Sequence, residues 1–78
     1  MEHKKPPMWP DKITPSVILD ALLYLESISY DDERAHSYED SLHCAVLEAI
    51  AQGRCENPED CAAKALQSSS IDFSRWCA

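Results

Sequence analysis

Fourteen consecutive residues, Pro15 to Ile28, read PSVILDALLYLESI and carry only Asp20 and Glu26 as charges. At helical spacing Val17, Ile18, Ala21, Leu22, Leu25 and Ile28 form one apolar stripe. Leu19 and Leu23 fall off it, with Tyr24 beside them. A helix wet on one side rarely needs two stripes. Such a segment is either the central helix of a bundle or a surface helix that buries its second stripe against a partner. The remainder of a 78-residue chain offers modest matching surface. A chain of this size buries only about 60–65 % of its extended surface, which makes it marginal unless something staples it.

The helix has a clear start. Thr14 can accept a bond from an orphan amide, and Pro15 at the first helical position has no amide to lose. Ile13 stands where a hydrophobic staple would be. A single glycine among many alanines and leucines favours helix over sheet. Gly53 stands just past a second apolar run, where a left-handed cap would need it. That run places Leu42, Ala45, Val46, Ala49 and Ile50 on one face, flanked by Cys44, Leu47 and Ala51, with Glu39, Asp40 and Glu48 on the wet side. Ser37 and Asp40 have capping-box spacing and predict a start near 38, while Asp31 would cap an earlier one. Asn57 as the cap, Pro58 in the first turn and Asp60 near the positive end of the dipole announce a third helix, with Cys61, Ala62, Ala65 and Leu66 facing inward. Ser68 to Ser70 end it, and Ile71, Phe73 and Trp76 give the last segment enough apolar content to dock.

The expected fold is all-α: a three-helix bundle, or four if the tail forms a further helix. An arm over 1–12, held extended by Pro6, Pro7 and Pro10, precedes a single helical domain over 13–78. Its helices are expected at about 15–28, 38–52 and 58–67, with a docked tail over 70–78. Met8 and Trp9 form an apolar pair in the arm, able to pack across the domain or to anchor a partner.

Charge is distributed unevenly. The net value is −7, and residues 13–53 alone carry −7. Asp31, Asp32, Glu33, Glu39 and Asp40 centre this field. It opposes direct nucleic-acid binding and favours a basic protein partner, although the same carboxylates also solvate a loop. No stretch approaches the roughly 20 apolar residues of a membrane span. The basic N-terminus has no apolar run and cleavage site behind it, so a cytoplasmic location is expected.

Cys44, Cys55, Cys61 and Cys77 are the candidates for special chemistry. In a cytoplasmic protein they read as reduced thiols, with Cys77 the most exposed and a Cys55–Cys61 bridge the most plausible oxidised form. With His43 or His36 they supply enough ligands for zinc, but the close pair has five intervening residues rather than a knuckle's two to four. No metal or other cofactor is expected. Neither a phosphate-binding glycine loop nor a nucleophile elbow is present, and Cys44, His36 and Asp40 make only an arbitrary triad, so enzymatic activity is not expected.

Two functions remain. One is an acidic module that binds and inhibits or regulates a basic, nucleic-acid-handling protein through Asp31, Asp32, Glu33, Glu39 and Asp40. Its analogy to phage-encoded anti-restriction and anti-CRISPR inhibitors rests on size and charge alone. The other is a homodimer closed by Leu19 and Leu23, with Met8 and Trp9 contributing. Salt separates them, because it weakens a charged contact and spares an apolar one.

Overall fold

Thr14 opens α1 (Pro15–Ser27) by accepting a hydrogen bond from the Val17 amide on its Oγ1 at 3.3 Å. The structure, a computed structural model, describes residues 9–75. Ile28 closes α1 with its amide on the Tyr24 and Leu25 carbonyls and its side chain buried in the core. Ile18, Ala21 and Leu25 face inward, Val17 and Leu22 are half-buried, and Leu19 and Leu23 lie exposed. α1 is therefore a surface helix with an outward second stripe, rather than the central helix of a bundle.

α2 (Asp32–Ala51) begins earlier than the Ser37–Asp40 pattern predicts. Asp31 accepts from the Arg34 amide at 3.2 Å, and Asp32 and Glu33 lie in the first turn, where the helix dipole favours carboxylates. The early start buries Ala35 and Tyr38 on the stripe that continues through Leu42. Glu39 corrects the expected face: it is buried, at 6 % exposure, not on the wet side.

Gly53 ends the helix at φ 71°, with its amide on the Ile50 carbonyl and the Arg54 amide on that of Ala49. A Cβ there would meet nothing within 4 Å. Gly53→Ala is therefore expected to cost about 1 kcal/mol from backbone conformation alone, which urea denaturation would resolve.

Asn57 precedes α3 (Pro58–Leu66) in the left-handed region, at φ 55°, and against the expected cap its side chain bonds to no helix amide. Its role is to tolerate positive φ, a property asparagine shares with glycine. Cys61 and Ala65, one turn apart, face inward. Ala62 and Leu66 follow them by about 100° and are exposed, and Ile50 is partly exposed as well, against the expected inward faces. A 3-10 turn (Gln67–Ser70) then leads into the tail, where Phe73 is buried.

The segment before α1 is tied to the α2–α3 loop. The Ile13 amide donates to the Arg54 carbonyl at 3.0 Å, and the Glu56 amide donates back to Ile13 at 2.8 Å. Ile13 itself is buried in the core. Trp9 packs across the domain: its ring stacks on Tyr38 with centroids 5.4 Å apart, and its Nε1–H donates to Ser41 Oγ at 2.9 Å. Met8, Trp76 and Cys77 lie outside the described residues. Among the described residues no helix is long and apolar enough to cross a membrane.

Candidate interaction surface

Asp31, Glu33 and Trp9, each expected at a partner contact, line one cleft of about 480 Å³ together with Tyr24, Arg34 and Tyr38. The early start of α2 puts them there: Asp31 and Glu33 flank its first residue, while Tyr38 lies one turn after Arg34 and packs against both Trp9 and Tyr24. The Arg34 guanidinium donates to the Tyr24 hydroxyl at 3.0 Å. Burial, and secondarily the neighbouring Tyr24, pushes the Tyr38 phenol up to about 12, so it is neutral at any physiological pH. Tyr24 and Tyr38 were not singled out in the sequence. The available signal was their position beside the two core stripes, legible only once α2 starts at Asp32.

The other carboxylates separate. Asp32 accepts from the Ser74 amide at 3.0 Å and so helps hold the tail. Asp40 is exposed, with His36 Nδ1 at 3.6 Å. Glu39 receives the Arg75 guanidinium through Nε at 2.8 Å and Nη2 at 3.2 Å. Burial raises its pKa, but hydrogen bonds from Arg75 and Ser68 and the positive charge of Arg75 outweigh that and hold its carboxyl below the usual value. Glu39 therefore acts inside the fold, and the expected acidic ridge reduces at the surface to Asp31, Asp32, Glu33 and Asp40.

Ser68, fully buried, joins this network. His43 Nε2 lies 2.9 Å from Ser68 Oγ and 3.3 Å from the Ala65 carbonyl. His43 Nε2 thus contacts a carbonyl, which can only accept, and a hydroxyl, which can donate or accept. A serine, a histidine and a glutamate lie close together, but the carboxylate holds Arg75 rather than the far ring nitrogen. A nucleophilic triad needs that last contact to orient its base, and Ser68 has no solvent access.

Leu19 and Leu23 line a shallow groove of about 370 Å³ with Leu22, Glu26, Gln67 and Ile71. Leu47, Ile50, Ala62 and Leu66 surround a second apolar depression between α2 and α3. Leu23, Leu47 and Leu66 are 66 %, 66 % and 68 % exposed.

Among the described residues no three His, Cys, Asp or Glu side chains converge to hold a metal ion. Cys44, Cys55 and Cys61 are free thiols, and His43 is committed to Ala65 and Ser68. The Cys55 and Cys61 sulfurs both approach the Glu56 carbonyl, at 3.8 and 3.2 Å. Burial, then the neighbouring Cys55, pushes the Cys61 thiol from 9.0 to about 11. A raised acid pKa stabilises the fold below the unfolded value, and that contribution disappears as pH rises through the folded one. Urea midpoints are expected to fall between about pH 9 and 11, and further as Tyr38 titrates toward 12. Cys61→Ala should flatten the first part of that fall; an unchanged slope would remove Cys61 as its source.

Comparison with protein families, curated proteins and solved structures finds no match for this chain.

Proposed function

We propose that this protein is a small, non-catalytic interaction module that binds a basic protein partner and inhibits or regulates it. The supporting observation is the face at the start of α2, where exposed Asp31, Asp32 and Glu33 adjoin a cleft lined by Trp9, Tyr24 and Tyr38. Carboxylates supply long-range attraction for a basic surface, and half-exposed rings supply the desolvated contact that holds it. A net charge of −7 makes a nucleic-acid-handling protein the natural target, since such a surface competes with phosphate for a basic groove. The cytoplasm is the proposed location. An inhibitor of the phage-encoded kind fits this size and charge.

Native mass spectrometry of the protein recovered from cells at low salt tests this reading through a co-purifying basic protein. Glu33→Lys with Asp40→Lys alters exposed charge while sparing the Asp31 cap and the Asp32 contact to the tail. The pair is expected to weaken that complex about tenfold, as is raising salt from about 0.1 to 0.5 M. A complex indifferent to both would exclude an acidic contact.

One observation favours a second reading. Leu19 and Leu23 stand 45 % and 66 % exposed beside Ile71, a surface suited to a homodimer. A dimer that persists at high salt and dissociates on Leu19→Ser with Leu23→Ser would establish it in place of the first.

A further inference from the structure

The aromatic residues of the cleft sit at the edge of the core, with Tyr38 part of it and Trp9 and Tyr24 packed against it. Tyr38 forms the floor at 6 % exposure, whereas Trp9 and Tyr24 remain half-exposed on either side of it. Trp9 stacks on Tyr38 at 5.4 Å, and Tyr24 tilts against it at 4.8 Å, an interplanar angle of 60°. Asp31 and Glu33 stand at the rim, two carboxylates against the single guanidinium of Arg34. The Tyr38 hydroxyl is buried and has no hydrogen-bond partner among the described residues. A buried phenol without a partner is uncommon, and a donor reaching the floor would supply one.

These features favour one class of ligand. Ring faces carry negative quadrupole density and attract a cation within about 6 Å of the centroid. The rim carboxylates add attraction and oppose an anion. A guanidinium can also stack on such faces, but the Tyr24 hydroxyl beside them is already held by Arg34. An alkylammonium group needs only ring faces and a nearby negative charge. We propose that the cleft is a recognition site for a lysine side chain of the basic partner, in its plain or N-methylated form. This deepens the function proposed above and depends on it only for the source of the lysine.

The test uses the full chain, with the indole N–H signal of Trp9 and the ring signals of Tyr24 and Tyr38 followed by NMR. The probes are N-acetyl-lysine methylamide, its N-trimethyl form, the arginine analogue and the neutral norleucine analogue, all at constant ionic strength. Both lysine probes are expected to shift these signals saturably at millimolar concentration, with the arginine probe at least threefold weaker and norleucine without effect. Tyr24→Leu should weaken the lysine probes at least fivefold. Glu33→Gln, at an exposed first-turn site where losing the charge costs the helix little, should weaken them about threefold. Equal shifts from norleucine would make the cleft merely apolar, and tighter arginine binding would overturn the ammonium assignment; a linear, non-saturating response would eliminate the site. Loss of lysine binding in Tyr24→Leu with the basic partner still held would refute the cleft's part in that complex while leaving the acidic contact standing. Lysine binding in a protein that captures no basic partner would do the reverse.

Discussion

Glu39→Ala is expected to destabilise the fold by about 3 kcal/mol, near the lower limit for removing one partner of a buried ion pair. Its carboxylate is the acceptor around which the last described residues are organised. Arg75 donates to both of its oxygens, and also to the carbonyls of Ser68 and Ile71 at 2.9 Å and of Phe73 at 3.1 Å. The guanidinium also covers the Phe73 ring, 3.8 Å from its centroid. Without Glu39 the guanidinium loses its counter-charge in a partly buried site. Small domains have roughly 5 kcal/mol in total, so the expected loss is most of the margin. Urea denaturation would measure it, and Glu39→Gln, which keeps the shape without the charge, should cost about half as much. The pH dependence has a defined sign. A depressed carboxyl stabilises the fold above the unfolded value, and this contribution is lost as pH falls through the folded one. The glutamine variant should therefore show a shallower acid limb than the parent. If Glu39→Ala lies within about 0.5 kcal/mol of the parent, the ion pair has no net role and the tail is held by Phe73 and the Ser74–Asp32 hydrogen bond.

Leu25→Ala should cost about 3 to 4 kcal/mol, and Leu23→Ala, two residues earlier in the same helix, less than about 0.5. Leu25 has no solvent exposure and belongs to the core cluster with Ile18, Leu42 and Cys61. Its truncation loses burial and leaves a cavity that packed helices fill only in part. Leu23 is two-thirds exposed, so truncation removes little that water does not already reach. The same pair also separates stability from association. Leu23→Ala should leave the thermal midpoint unchanged and weaken any dimer that uses the α1 groove, whereas Leu25→Ala lowers the midpoint first. Comparable melting losses in both would mean that α1 buries its second stripe as well.

Local chemistry was legible where a residue acts on its neighbours. Thr14 with Pro15 starts α1, Gly53 ends α2, and Pro58 opens α3 with Glu59 and Asp60 in its first turn, as the sequence implies. Two caps competed for α2. Asp31 prevailed over Ser37 because the earlier start brings Ala35 and Tyr38 onto the buried stripe, an advantage visible only with α1 and the tail in place. Glu39 was misplaced for a related reason. Periodicity assigns a charged residue to solvent, and its partner Arg75 lies 36 residues away. Leu66 shows the opposite error, an apolar residue assigned inward but turned out because Cys61 and Ala65 already occupy the inner face of α3. Of the cleft, the acidic rim and Trp9 could be read in advance. Tyr24 and Tyr38 could not, since their meeting depends on how α1 crosses α2.

Of the fourteen buried apolar side chains among the described residues, five are alanine: Ala21, Ala35, Ala45, Ala49 and Ala65. They let helix backbones approach closely while each removes little hydrocarbon from water. The heat capacity of unfolding follows the apolar area newly exposed, typically about 12–15 cal/mol/K per residue. An alanine-lined interior places this protein at or below the lower end of that range. Its stability curve is accordingly expected to be shallow, changing slowly with temperature on both sides of its maximum.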